Sequence, residues 1–389
     1  MFFFNFKLFF RFLYVTFFNT RGHYRLTARR FFKAGLVIFL YIQVELVTWF
    51  SFLLDEIFYP GYRKQEIKEP IFILGNYRSG TTFMQRIISE DEESFSLFTT
   101  WEIVIGSSVI LRKLVWGISR IDLLIGKPLH RILELFEKRT MGQVDFHHLK
   151  LKSYEEDETL FMHNFASFGL WLYSVPLELL KPYMRFDEEI SLEERERLMT
   201  FYKRCIQRHL YAHGGEKRFL SKNPAFSSKI EALLEYFPDA KFIYLIRDPM
   251  EVVPSQLNML AFGWQLLADP LVEYPFVEES MEMAAHFYQY PLKKLAELPS
   301  DVYKIIEYGN LVGDPTGTVR EIYEHFDMQI STDYEAVLLK EAEKARKHRV
   351  KKYPWKRMGI SQRRIFKRFG NVYRRFKFGL SDKQIRNLG

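Results

Sequence analysis

Residues 75–82 read GNYRSGTT: a glycine, four residues, a second glycine and two threonines. The run before it, IFILG, has the composition of a buried strand, and the run after it has helical spacing. A strand that ends in such a loop and opens a helix turns backbone N–H groups and a positive helix end toward an anion, which is phosphate chemistry. Thr81 stands where a nucleotide-hydrolysing loop carries its lysine, so the cation needed for γ-phosphoryl transfer is missing. Arg78 brings a cation to a different point, with a planar fork able to pair two anionic oxygens. Ser79, Gly80, Thr81, Thr82 and Phe83 complete the candidate contacts of this loop. A bland strand-to-helix turn explains the glycines but not an arginine and three hydroxyl residues crowded at a helix start.

A second motif, FIYLIRDPMEVVPSQ, ends another apolar run at Arg247 and places Ser255 about two helical turns further along the helix that leaves it. Arg247 and Ser255 on one face make a second anion site. Asp248 is a poor candidate for a magnesium-binding acid, because Arg247 interrupts the apolar run before it.

These two motifs, with LSKNPAFSSKIEALLEYFPDAKF between them and IIEYGNLVGDPTGTVREIYEHF after them, resemble the sulfotransferases that use 3′-phosphoadenylyl sulfate (PAPS). The resemblance runs over residues 68–375 and is closest to the bacterial and membrane-associated members. It implies that Arg78 to Phe83 hold the 5′-phosphosulfate and that Arg247 and Ser255 hold the 3′-phosphate. It also implies a sulfuryl transfer from PAPS, as co-substrate and without a metal, to a hydroxyl of a carbohydrate, lipid or other small acceptor. Cytosolic members have lysine where this chain has Arg78, which keeps the charge and leaves the lysine's proton-donating role open.

In-line sulfuryl transfer requires both ends to be positioned, charge at the bridging oxygen to be stabilised, and a proton to leave the acceptor. Arg78 serves the charge, and three sets of residues compete for the proton. In SYEEDETLF, acids crowd ahead of an apolar stretch, which raises the pKa of at least one carboxylate. The resemblance aligns Glu156 to Glu158 with an acidic element of the family, and a dipole-complementing helix start is the alternative. Glu102 in TTWEIV falls one helix after the phosphate loop, about where tyrosylprotein sulfotransferases place a glutamate. His147 and His148 are third, although the cytosolic members' setting around their histidine is not reproduced; zinc held by these two with His163 lacks further close ligands. Lys222 and Asn223 either reach the cofactor or form a capping turn. Lys351, Lys352 and Lys356 either close over the 3′-phosphate, as a basic loop does in relatives, or lie on a solvated surface.

The elements that must position these groups read as an α/β fold, a P-loop-like parallel sheet flanked by helices. Strands are expected at 71–75, 241–247 and 302–308, and helices at 82–90, 225–236 and 315–326. Residues 91–220 form a long helical insertion, the natural place for an acceptor pocket. The sulfotransferase domain takes 61–389, ending in a basic tail over the same domain. Residues 1–60 are a helical extension in which nine of the first 18 residues are Phe and the first 33 hold seven Lys or Arg and no acid. Such a segment suits an anionic membrane surface. Residues 34–54 are long enough to span a bilayer, with Gln43 and Glu45 near mid-depth counting against it.

The formal charge of +8 and pI near 9.2 point to anionic partners; the motifs select a nucleotide, and no nucleic-acid partner is expected. The single Cys205 allows no intramolecular disulfide, and no Asn-x-Ser/Thr sequon occurs, which favours a cytoplasmic, membrane-associated protein over a single-span type II one. Cys205 itself reads as packing. A P-loop kinase or NTPase, and a non-catalytic membrane-bound nucleotide-binding module, remain as rival readings.

Overall fold

The computed structural model describes residues 3–19, 22, 25–140, 151–269, 272–345, 355, 357–381 and 383–385. Five parallel strands, β1 (Ile71–Gly75), β2 (Phe95–Ser96), β3 (Arg218–Lys222), β4 (Lys241–Ile246) and β5 (Tyr303–Glu307), form one sheet in the order β2-β3-β1-β4-β5. Strands β1 and β4 are apolar at nearly every position because both faces are covered, as parallel sheets require. Their side chains alternate: Phe72, Leu74, Phe242, Tyr244 and Ile246 enter one core, while Ile71, Ile73, Ile243 and Leu245 enter the other. Burying each such side chain contributes about 1.5–3 kcal/mol.

The smaller core lies under the helix that follows the phosphate loop, Thr81–Ile88, and under Pro315–His325. The larger core is made with the long insertion and the N-terminal helices. The insertion is not wholly helical. It delivers β2 to the sheet edge, and β3, whose RFLSK is short and bounded by charge, escapes a search for apolar runs. The segment expected as one helix over 225–236 divides into a 3-10 turn, Pro224–Ser228, and a helix, Ile230–Tyr236.

The extension is not a separate unit. Helix α1 (Phe6–Phe17) is capped by Asn5, whose Oδ1 accepts from the Leu8 N–H at 2.9 Å, and it buries Leu8, Phe12 and Val15 at helical spacing. Helix α2 (Ala28–Phe58) lies along the domain, with Tyr41 donating to the Met162 carbonyl at 2.6 Å and Trp49 donating to that of His163 at 3.3 Å. At its end, the two Asp55 oxygens accept from the Val109 and Ile110 N–H groups at 2.8 and 2.9 Å, capping the helix Val109–Leu124. Arg208 Nε donates to the same carboxylate at 3.0 Å.

Candidate active site

Strand β1 has β3 on one side and β4 on the other, so the chain leaves the sheet in different directions beyond their carboxyl ends. Such a switch point is where open α/β sheets hold ligands. Arg78, Lys222 and Arg247 all lie there, just past β1, at the end of β3 and just past β4.

Three backbone positions shape the loop. Gly75 has φ 147° and runs so close to β4 that a Cβ would meet the Leu245 oxygen and Ser79 Oγ at 2.6 Å. Gly80 has φ 101°, and a Cβ there would strike the Tyr308 ring at 2.5 Å. Arg78 itself adopts φ 72°, an uncommon left-handed conformation for a side-chain-bearing residue. The helix Thr81–Ile88 then begins, and the Thr81 and Thr82 N–H groups have no carbonyl of their own helix to bond, while the Phe83 N–H donates to the Gly80 carbonyl at 2.9 Å.

The two anion motifs converge. Arg78 Nε donates to Ser255 Oγ at 3.0 Å, and Arg247 Nη1 donates to the Arg78 carbonyl at 2.9 Å. Arg247 also donates to Glu251 at 2.7 Å, and its guanidinium lies 4.0 Å from the centre of the Tyr308 ring. Tyr308 therefore packs on both the loop glycine and the second cation, a role the sequence reading did not assign. The signal was present, because Tyr308 stands in the IIEYGNL stretch. Asp248 serves as helix cap, its Oδ1 accepting from the Met250 N–H at 2.8 Å.

Ser79 departs from expectation. Its side chain is buried, and its hydroxyl donates to the Asn76 carbonyl at 2.7 Å, bracing the turn instead of facing its mouth. Thr81 is buried, Thr82 exposed and Phe83 half-buried.

The acidic segment separates into three roles. Glu156 is half-buried and accepts from Lys222 Nζ at 2.8 Å. Asp157 and Glu158 are buried structural groups. Glu158 accepts from Ser167 Oγ at 2.7 Å and from the Phe168 N–H at 2.9 Å, which fixes the turn that packs Phe168 against Tyr77. Burial raises its carboxyl, with Lys229 nearby opposing the rise. Tyr77 precedes Arg78, and both Glu156 and Glu158 act electrostatically on its buried hydroxyl, so this segment borders the phosphate loop. Asn223 fulfils the capping alternative, accepting from the Ala225 N–H at 3.0 Å, whereas Lys222 points at Glu156.

Asp157 accepts from Tyr202 and, at 2.8 Å, from Ser221. Burial nevertheless pushes its carboxyl from 3.8 up to about 6. A raised folded pKa means that the protonated form is favoured, so the stability it lends is complete below the unfolded pKa and is lost as pH rises through about 6. The difference corresponds to about 3 kcal/mol. We expect the unfolding free energy of wild type, minus that of Asp157→Asn, to fall by about this amount between about pH 4 and pH 7. Denaturant titrations across that range measure it, and a difference independent of pH rejects the assignment.

Glu102 is not brought to the loop mouth. It is buried in a capping box at the start of helix Thr100–Val104, with Oε2 accepting from the Thr99 N–H and hydroxyl at 2.9 and 2.8 Å. Its other oxygen faces His213 Nε2 at 2.7 Å, Arg112 Nε at 3.2 Å and His209 Nδ1 at 3.7 Å. Burial disfavours its charge, but His209, His213 and Arg112 outweigh burial and hold the carboxyl well below the usual range. A carboxylate bound this firmly is a poor proton acceptor. Glu102, His209 and His213 could meet at a metal, but Arg112 already supplies positive charge there. His163 is committed to Glu45 at 2.9 Å and to the Ile103 carbonyl at 2.8 Å. His147, His148, Lys351, Lys352 and Lys356 lie outside the described residues. Cys205 is buried, which pushes its thiol up to about 12, so it packs and does not react.

The family model described as Sulfotransferase family matches residues 70–332, and the chain belongs to that family. Over 267 residues it is 26% identical to the omega-hydroxy-beta-dihydromenaquinone-9 sulfotransferases Stf3 of Mycobacterium bovis and Mycobacterium tuberculosis, covering 67% of this chain and 63% of theirs. It thus spans less than two thirds of those relatives. Two solved structures share its fold at 18% identity: sulfotransferase STF9 from Mycobacterium avium, with TM-score 0.69 over 85% of this chain and 82% of that one, and STF1 from Mycobacterium tuberculosis, with TM-score 0.66 over 93% and 91%.

Proposed function

We propose that the protein transfers a sulfuryl group from PAPS to a hydroxyl of a small acceptor, with a lipid favoured over a carbohydrate. The observation that carries this reading is the joining of the two anion motifs through Ser255, Arg78 and Arg247 at the switch point of the sheet. On this reading the loop and helix start receive the 5′-phosphosulfate, Arg247 and Ser255 the 3′-phosphate, and Lys222 and Glu156 the transfer centre. Arg78 stabilises charge on the transferred group and the bridging oxygen, and Glu156 accepts the acceptor's proton. PAPS would supply the sulfuryl group, and no step needs a metal. The lipid preference rests on the menaquinone-derived acceptor in the relatives' names.

The test is calorimetry on the full chain in mild detergent. Tight binding of 3′,5′-adenosine bisphosphate without magnesium is expected, with ATP bound weakly; preference for ATP with magnesium sinks the proposal in favour of a kinase or NTPase. Arg247→Ala should weaken the bisphosphate by about 10- to 100-fold, the scale of a lost charged hydrogen bond, while 5′-AMP changes little. Equal losses for both ligands reject the placement of the 3′-phosphate. Bisphosphate binding with no turnover on any hydroxyl-bearing lipid or glycan favours the non-catalytic module.

A further inference from the structure

Helix α2 is inside out. The face it turns to the protein carries Arg30, Glu45, Thr48 and Asp55, all buried, with Glu45 paired to His163 and Asp55 to Arg208. The face it leaves uncovered is apolar apart from Gln43, including Leu36, Phe39, Leu46, Phe50 and Leu53, each more than half exposed. A helix on a water-soluble domain has the opposite arrangement. Helix α1 adds exposed Phe6 and Phe10, with Phe18 at its C-cap.

A second element does the same. The helical hairpin Val109–Leu124 and Pro128–Thr140 packs beside α2, and its base is tied to Asp55. Asp122 caps its second helix, accepting from the Leu129 and His130 N–H groups at 2.8 and 3.1 Å. Its turn presents Ile121, Leu123, Leu124 and Ile125 to the outside, Leu124 at 86% exposure. This is far beyond the scattered single hydrophobics of an ordinary surface.

The rim of this surface is mainly basic, with Asp269 paired to Arg29 at 3.2 Å. Lys7, Arg11, Arg25, Arg29 and Lys33 are exposed, and the acids of the described residues before Glu56, Glu45 and Asp55, are both buried. On the hairpin, Lys113, Arg120, Lys127 and Arg131 are exposed and Asp122 is buried, with Glu134 exposed beside His130. Two copies meeting through this face would set basic rims against each other. An anionic bilayer would be attracted to the rim and would cover the apolar face.

We infer that α1, α2 and the hairpin Val109–Thr140 together form one docking surface for an anionic bilayer, lying in its interface without crossing it. Crossing would take Glu45, Asp55 and Arg30 out of the protein contacts that bury them and expose them to lipid. The hairpin, one part of the 91–220 insertion expected to hold the acceptor pocket, is thereby assigned to the membrane. The inference does not rest on the sulfotransferase reading. Residues Met162 to Asn164, which bind α1 and α2, follow Glu156 and Glu158 in the same short segment, so the docking surface adjoins the candidate centre.

The test uses the full chain diluted from detergent onto vesicles. Sedimentation with mixed phosphatidylcholine–phosphatidylglycerol vesicles is expected, weakened several-fold in pure phosphatidylcholine or high salt. Leu124→Glu with Ile125→Glu should lower partition by about tenfold while 3′,5′-adenosine bisphosphate binding stays unchanged. Leu124→Cys carrying a polarity-sensitive dye, with Cys205 buried and unreactive, should shift to the blue on vesicles. A dye that stays in water, partition indifferent to the charged pair, or a discrete dimer that excludes vesicles overturns the inference. Loss of nucleotide binding with retained vesicle binding counts against the proposed function alone.

Discussion

Glu156→Gln is expected to lower kcat by about 10²- to 10⁴-fold, the usual contribution of a positioned general base, while 3′,5′-adenosine bisphosphate binds within a few-fold of wild type. The expectation follows from how the three adjacent acids are used. Asp157 is enclosed by Tyr202 and Ser221, and Glu158 is spent on Ser167 and the Phe168 N–H. Glu156 alone of the three is partly exposed, its side chain at 20%, and its only charged partner among the described residues is Lys222. Gln keeps a carbonyl oxygen for the Lys222 ammonium, which is buried and would otherwise lose its partner, so the substitution tests proton transfer more than packing. Glu158→Gln should behave differently: a carboxyl that fixes a turn has its effect on thermal unfolding first. Single-turnover measurement of transfer from labelled PAPS, with melting curves for both variants, separates the two. A Glu156→Gln enzyme within threefold of wild type would remove Glu156 from the mechanism.

Arg78→Ala carries the second large effect, an expected loss of about 10²- to 10³-fold in kcat, comparable with removing one preorganised donor from a developing charge. Arg78 supplies three things at once. Its guanidinium is the loop's cation, its Nε holds Ser255, and its carbonyl receives Arg247. Lysine restores the charge without the planar fork, so Arg78→Lys should recover part of kcat but leave bisphosphate affinity below wild type. Recovery of neither would mean that the left-handed backbone at this position, not the charge, limits the loop. Wild-type kcat in Arg78→Ala would disprove the assignment.

Much of this was legible because it depends on short-range spacing. A buried parallel strand must be apolar on both faces, and a phosphate cradle needs glycine where the backbone is left-handed or crowded. IFILGNYRSGTT therefore reveals both strand and loop, and Tyr308 against Gly80 is why alanine does not fit there. Strand β3 was less visible, since its identity comes from the neighbours β1 and β2 that pair with it and not from its own five residues.

Roles within charged clusters were not legible at all. Glu102, Glu156 and Glu158 look alike in a sequence, because the pKa and availability of a carboxylate are set by groups distant along the chain. Arg112, His209 and His213 claim the first, Lys222 pairs with the second, and Ser167 and Phe168 enclose the third. Ser79 shows the same limit at smaller scale, for the rotation that sends its hydroxyl to Asn76 follows from the turn the loop adopts.

The sequence by itself determined that this chain builds an α/β domain whose first strand ends in a glycine-flanked loop with Arg78 in it and Thr81 at the hydrolytic lysine's position, because local backbone sterics and side-chain period leave little choice. Only the tertiary structure decided which acid stays partly exposed and which face of α2 is left to the outside. Glu45 counted against a membrane while α2 was judged alone; once paired with His163 inside the domain, it leaves an outer face that beyond Lys33 is apolar except for Gln43.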